Sequence, residues 1–346
     1  MKIFIFSSIR MLWLFSAIGG YGATALSGVA DKFLVSGRIE KPAAYVLVLT
    51  LFSLTSFALA PFGLQLLPPI GMAIFLVSGV LFAWSLLFLF TAFRKGEVSR
   101  ILPLVGIFSA IVTLLPSVVR IFLSGEIPVF GLLSFALLLA GAGMLSLSRS
   151  DGYSYSHPAI GLAFLSGLFL AGFYLLIKVG EGSGANFVSG LIWSRFGVFL
   201  GGVSLALVPA YRRDMLSFLS EKFLFLFSRG VNSQLSVGEN ASEVALRQRR
   251  TGSLPTWLIF ISGKTIGGIG AILIIFATYH GPVALVQAMV GVQFAFVFLI
   301  ALFLSKKFPD IFSERLSRSD WLRKMAAFVC ISAGIWLSVR GEPSLF

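Results

Sequence analysis

Two basic side chains stand deep inside otherwise apolar stretches of the chain: Arg195 in the run 187–208 and Lys264 in the run 256–279. Each lies about nine residues from the start of its run, well inside the span at a rise of about 1.5 Å per residue. A cation at such depth in hydrocarbon costs at least about 2.5–3.5 kcal/mol on insertion scales, so it must face a partner or a cavity. The chemistry open to the pair is binding of an anionic or carbonyl-bearing group. The competing reading is structural, each cation snorkelling or holding the carbonyls of a broken helix. Lys32 follows Asp31 at the end of the first apolar run, and Lys178 occupies the corresponding end of the sixth. Terminal lysines commonly snorkel to headgroups, but both remain candidates for contact with a substrate. Gln287 and Gln293 fall six residues apart in one apolar run. On a helical wheel that is roughly 240°, so one of them at most faces a cavity while the other bridges helices.

Other chemistries lack their residues. The run Gly263 to Gly270 contains Gly-Lys-Thr, but a phosphate-binding loop needs glycine at 258, where this chain has Leu258. The stretch reads instead as a close-packing or hinge segment. Neither His157 nor His280 belongs to a metallohydrolase, nucleophile-elbow or paired-acid pattern, so an enzyme is not expected. The single cysteine, Cys330, leaves no intrachain disulfide and no cysteine-based metal site. No cofactor is expected. No acidic residue lies in the middle of any apolar run, which argues against a carboxylate proton relay.

The elements that position these residues follow from composition. With 57% hydrophobic and 12% charged residues, and a mean hydropathy of +0.96, the chain cannot cover a water-soluble core with a polar surface. Apolar runs of about 20 residues, enough to cross a hydrocarbon core of about 30 Å, lie near 11–30, 44–62, 71–93, 98–121, 128–147, 159–178, 187–208, 256–279, 283–304 and 324–340. Runs of this length satisfy their backbone groups as helices, whereas barrel strands would be short and alternating. The fold class is therefore an all-α polytopic membrane protein with ten transmembrane helices. The first run after Met1 and Lys2 reads as a retained helix rather than a cleaved leader. A net charge of +13 would suggest nucleic acid in a soluble protein, but here the basic residues sit in loops beside the bilayer, and no nucleic-acid partner is expected.

The chain also repeats itself. Ala92-Phe93-Arg94-Lys95-Gly96-Glu97-Val98 matches Ala277-Thr278-Tyr279-His280-Gly281-Pro282-Val283, and Gly106 then stands opposite Gly291. Phe122-Leu123-Ser124-Gly125-Glu126-Ile127-Pro128 lies opposite Phe303-Leu304-Ser305-Lys306-Lys307-Phe308-Pro309, and Ala142-Gly143 parallels Ala333-Gly334. Three matches in the same order divide the chain into five-helix repeats at 1–150 and 151–346, the second with a flexible loop at about 210–254. An odd number of helices per repeat inverts the second copy. Charge agrees, because loops after the odd-numbered helices hold 20 Lys and Arg against five in the other loops and termini.

These stretches resemble the drug/metabolite transporter superfamily, in its EamA-like branch of two five-helix repeats. The likeness covers nearly the whole chain. It is carried by Ala92 to Arg100 leading into Pro103, by the Gly125-Glu126 and Pro128 turn, and by Val286-Gln287-Ala288 with Gly291 and Gln293. The resemblance implies a basket-like bundle with a central cavity open alternately to each side. It implies a secondary transporter in the cytoplasmic membrane that moves a small metabolite; the candidate substrate contacts, read from their place in the spans, are Arg195, Lys264, Gln287, Gln293 and Lys32. Its partners would be the bilayer, the small-molecule substrate and, as a candidate assembly, a second copy of the chain. The alternative is a non-transporting scaffold or lipid-handling protein.

The positive-inside rule places the basic loops in the cytoplasm and both termini outside, while the family resemblance implies both termini inside. On the charge reading, a Ser233→Cys variant in intact cells stays unlabelled by an impermeant maleimide added outside. Efficient labelling there reverses the orientation.

Overall fold

The computed structural model describes residues 2–34, 42–95, 98–125, 127–146, 157–218, 256–305 and 318–340. Among these the regular structure is helical throughout, as backbone groups in lipid demand. In chain order the helices are α1 (Lys2–Leu34), α2 (Pro42–Phe52) continued by a 3-10 segment (Ser53–Phe62), α3 (Pro69–Phe93), α4 (Val98–Ser124), α5 (Val129–Ser146), α6 (His157–Glu181) and α7 (Phe187–Ser204). They continue with α8 (Pro209–Phe218), α9 (Thr256–His280), α10 (Val283–Ala288), α11 (Val290–Ser305) and α12 (Arg318–Arg340). The chain is a multi-pass membrane protein: nine helical spans among the described residues are long and apolar enough to cross a bilayer. The remaining expected span, the fifth at 128–147, is a shorter apolar helix, Val129–Leu145. Of the expected flexible loop at 210–254, α8 occupies the start, and 219–254 lies outside the described residues.

Large side chains such as Leu66, Phe122 and Leu123 are more than four-fifths exposed. In water such surface would drive association; in hydrocarbon it costs nothing, and burial cannot then be what holds helices together. Close van der Waals contact between small residues does that work. Helix α9 runs antiparallel to α1, with Gly270 against Gly20 and Thr24 and Gly267 against Ser27; a Cβ on Gly270 would stand 2.8 Å from the Gly20 carbonyl oxygen. Helix α3 packs on both α6 and α7. Its meeting with α7 is backbone to backbone at Gly79 and Gly197, where a Cβ on Gly197 would lie 2.8 Å from the Leu76 Cα. Further pairings join α5 to α12, α4 to α6, α10 to α4, and α2 with its 3-10 segment to α7. Hydroxyls tie neighbours where no water reaches: Ser134 Oγ donates to the Gly334 carbonyl at 2.7 Å, and Ser85 Oγ to the Ser166 carbonyl at 2.9 Å.

Two interruptions shape the middle of the bundle. The second span tightens into a 3-10 helix at Ser53, whose hydroxyl lies 2.6 Å from the Thr50 carbonyl and 2.8 Å from the Arg195 carbonyl. A hydroxyl bonding back into the preceding turn bends a helix, and Pro61 further along removes a donor. The ninth span, expected as one helix over 283–304, breaks at Met289 between α10 and α11. There the Met289 amide reaches both the Leu285 carbonyl at 3.0 Å and the Val286 carbonyl at 3.2 Å, and the Tyr21 hydroxyl from α1 donates to that same Val286 carbonyl at 2.9 Å.

Because backbone fills the space beside Gly197, a Gly197→Leu variant loses folded, monodisperse protein on size exclusion, at an overpacking cost of about 1–3 kcal/mol or more. Gly268, with open space around it, accepts alanine with its elution and thermal midpoint unchanged or raised.

Candidate functional site

Arg195 projects from α7 towards α3 and α6, its guanidinium over the Phe82 ring at 5.6 Å from the centroid. It gets there because the Gly79–Gly197 approach brings α7 against α3 at this level. Phe82 leans on Phe173 (centroids 4.9 Å apart) and Phe173 on Tyr174 (4.8 Å), an aromatic row crossing from α3 to α6. The Tyr174 hydroxyl faces the Gln287 side chain and lies within direct electrostatic reach of Arg195. Gln287, on α10 just before the break, is only 4% exposed. Its Oε1 accepts from Ser109 Oγ of α4 at a long 3.5 Å, and its Nε2 has no hydrogen-bond partner of acceptable geometry. Tyr21, buried on the facing side, holds the Val286 carbonyl and interacts electrostatically with Tyr174.

Magnitudes single this group out. A ring beneath a half-buried guanidinium gives back about 0.5–2 kcal/mol, while a charge at that depth costs at least about 2.5–3.5 kcal/mol. Among the described residues no carboxylate pairs with Arg195, and no hydrogen bond satisfies its guanidinium. The buried Gln287 amide carries a further penalty of about 1–3 kcal/mol for its unmade bond. Among the described residues the cluster thus holds more donors than acceptors.

Of the residues expected from the sequence, the structure brings Arg195 and Gln287 together around Tyr174. Lys264 is half-buried on α9. The register of α9 on α1 sets it roughly 14 Å along the helix axis from the level of Tyr21, at about 1.5 Å per residue. No described contact joins it to Arg195. Gln293 is half-buried on α11, beyond the Met289 break, so the single-helix wheel that related it to Gln287 does not apply. The side chain of Lys32, like that of Asp31, lies outside the described residues. Lys178 binds Glu181 at 2.5 Å and the Tyr279 carbonyl at 2.8 Å, which clamps the end of α6 to the end of α9. Tyr279 Oη also donates to the Ala185 carbonyl. Sequence reasoning missed Tyr21, Tyr174, Ser109 and Phe82. The available signal was position: two tyrosines stand inside spans rather than at the headgroup belts where tyrosine normally collects.

No family model matches the sequence, and no curated protein matches it. One solved crystal structure, described only as that of a protein, aligns over 96% of this chain and 96% of its own with a TM-score of 0.58 and 13% identity. At that identity the likeness speaks for the fold alone.

Removing the Tyr21 hydroxyl leaves the Val286 carbonyl without its side-chain donor. Tyr21→Phe therefore lowers stability by about 0.6–1.7 kcal/mol, the range for hydrogen bonds between membrane helices. A lower thermal midpoint in detergent checks it, and an unchanged midpoint means that the break at Met289 holds without the bond.

Proposed function

We propose that the chain is a secondary transporter of the EamA-like kind, in the cytoplasmic membrane, built as two inverted five-helix halves, 1–150 and 151–346, that move a small metabolite by alternating access. The observation that carries the reading is the unpaired guanidinium of Arg195 beside the orphan amide of Gln287. Side chains from both proposed halves meet there: Tyr21, Phe82 and Ser109 from the first, Tyr174, Arg195 and Gln287 from the second. Transporters of inverted repeats bind substrate where the halves meet, beside broken helices. The pairing of spans supports the repeat. The first span packs on the eighth as the sixth packs on the third, while fourth pairs with ninth and fifth with tenth, which is what exchange of two equivalent halves requires. The third span's contact with the seventh has no equally extensive counterpart between the eighth and the second. That difference favours one of two conformations that symmetric halves would interchange.

With no acidic residue in mid-span, the transporter is a facilitator or exchanger rather than a proton-relay pump. Exchange is favoured, because an empty carrier would have to reorient a bare guanidinium, whereas a carrier holding an anion is neutral there. A scaffold or lipid-handling protein would not need unsatisfied donors between helices. In proteoliposomes preloaded with a mixed metabolite extract, external metabolites accelerate release of internal ones. Arg195→Gln lowers that exchange at least about tenfold, equal to about 1.4 kcal/mol of binding, and Lys264→Gln also weakens it, with insertion intact in both. Release no faster than in protein-free vesicles, or exchange untouched by both variants, sinks the transport reading.

A further inference from the structure

We propose that the ligand of the Arg195–Gln287 cluster is a singly charged carboxylate on an uncharged, apolar body, its two oxygens shared between the Arg195 fork and the Gln287 amide. The cargo role rests on the transport reading above; the binding preference does not.

The donor inventory sets the chemistry. A guanidinium offers five N–H donors in a planar fork, and a glutamine amide two more. Among the described residues the fork meets a ring face and no carboxylate, and Nε2 has no hydrogen-bond partner. The Tyr174 hydroxyl, beside both, can donate or accept. What completes such a site is a group made of acceptors. Water would satisfy some donors but would leave the charge uncompensated. An oxyanion does both, and a planar carboxylate matches the fork with two parallel bonds.

Charge and polarity narrow the class further. The cluster holds one cation, Lys264 standing at another level of the bundle. A phosphate ester carrying close to two charges would leave about one unpaired in a low-dielectric interior. Nor can a zwitterionic amino acid be matched, because its ammonium needs an anion. The acids that flank these spans in sequence, Asp31, Glu97, Glu126, Glu181 and Asp214, stand at or beyond span ends, and Glu181 is held by Lys178. The side chains beside the fork are aromatic: Phe82, backed by the buried Phe173, and Tyr174. An apolar, unbranched or flat body suits them.

Gln287 supplies an experiment whose two readouts move in opposite directions. Replacing both partners of a buried hydrogen bond by apolar groups of similar shape is neutral or stabilising, so a Gln287→Leu/Ser109→Ala double variant leaves the empty protein level while it removes one arm of the carboxylate contact. Binding is measured on the purified full chain in lipid nanodiscs, with acetate, butyrate, benzoate and 3-phenylpropionate as probes and benzamide, phenyl phosphate and phenylalanine as counter-probes. Affinity rises along the carboxylate series with apolar size, and each counter-probe binds at least about tenfold more weakly than benzoate. Arg195→Gln abolishes carboxylate binding, and Arg195→Lys, which keeps the charge and loses the fork, weakens it about tenfold. The Gln287→Leu/Ser109→Ala double variant weakens it to a similar degree while the thermal midpoint of the empty protein stays level or rises. Absence of binding by every carboxylate, equal binding of benzamide or phenyl phosphate, or unchanged benzoate affinity in Arg195→Gln each overturns the proposal. Carboxylate binding without exchange in vesicles would overturn the transport reading and leave the site. Exchange of other solutes without carboxylate binding would do the reverse.

Discussion

Inside hydrocarbon there is no solvent to take up an unused hydrogen bond, so every polar group of this bundle must find its partner within the protein. That constraint orders most of what is seen. It keeps the described regular structure helical, turns the hydroxyls of Ser85, Ser134 and Ser166 onto carbonyls of neighbouring helices, and brings the Tyr21 hydroxyl to the Val286 carbonyl where the ninth span breaks. Against that background the exceptions carry information: among the described residues the Nε2 of the buried Gln287 amide and the Ser56 hydroxyl have no hydrogen-bond partner, and Gln287 stands with the half-buried Arg195, which no described carboxylate pairs. The cost at Arg195 and Gln287 together, a few kcal/mol by the scales for a charge within a span and a buried amide, is comparable to a large share of a domain's stability.

Small residues decide where those exceptions can stand. Because lipid is as apolar as leucine, helices gain by approaching closely, and glycine permits backbone contact. Gly79 and Gly197 bring α3 and α7 together beside Arg195, and Gly20 with Gly270 bring α1 and α9 together beside Tyr21. Both ends of the polar cluster are thereby mounted on rigid pairs. Between them lie the less regular parts, the 3-10 segment after Ser53 and the break at Met289. Placing a ligand contact next to a break joins binding to the segment most able to change shape, since a broken helix has fewer ladder bonds to lose when it moves.

At one end of the bundle a different arrangement holds two spans together. Lys178 bridges Glu181 on its own helix and the carbonyl of Tyr279 at the C-terminus of α9, where the helix dipole also favours a cation. This ion pair is about one-third exposed on each side chain, so it contributes modestly to stability. Its geometric effect is larger, because it links the ends of two spans that flank the cluster. The terminal lysine that sequence reasoning weighed as a substrate contact or an anchor is occupied here with holding helices.

Membrane class, the helical fold and most span boundaries were legible in the chain itself, because the bilayer imposes a length and a polarity that a linear pattern can meet without knowledge of its neighbours. The same logic exposed Arg195, since a charge within an apolar run is anomalous wherever the helix points. The break at Met289 was not legible: no proline marks it, and what caps it is a hydroxyl 265 residues away on α1. Nor could the sequence say that Gln287 rather than Gln293 joins Arg195, because a wheel assumes one unbroken helix. Tyr174 and Ser109 became part of the site only through packing of α6 and α4 against α10. Local polarity is written into the order of residues, whereas which donors meet which acceptors depends on helices brought together by small-residue contacts between distant segments.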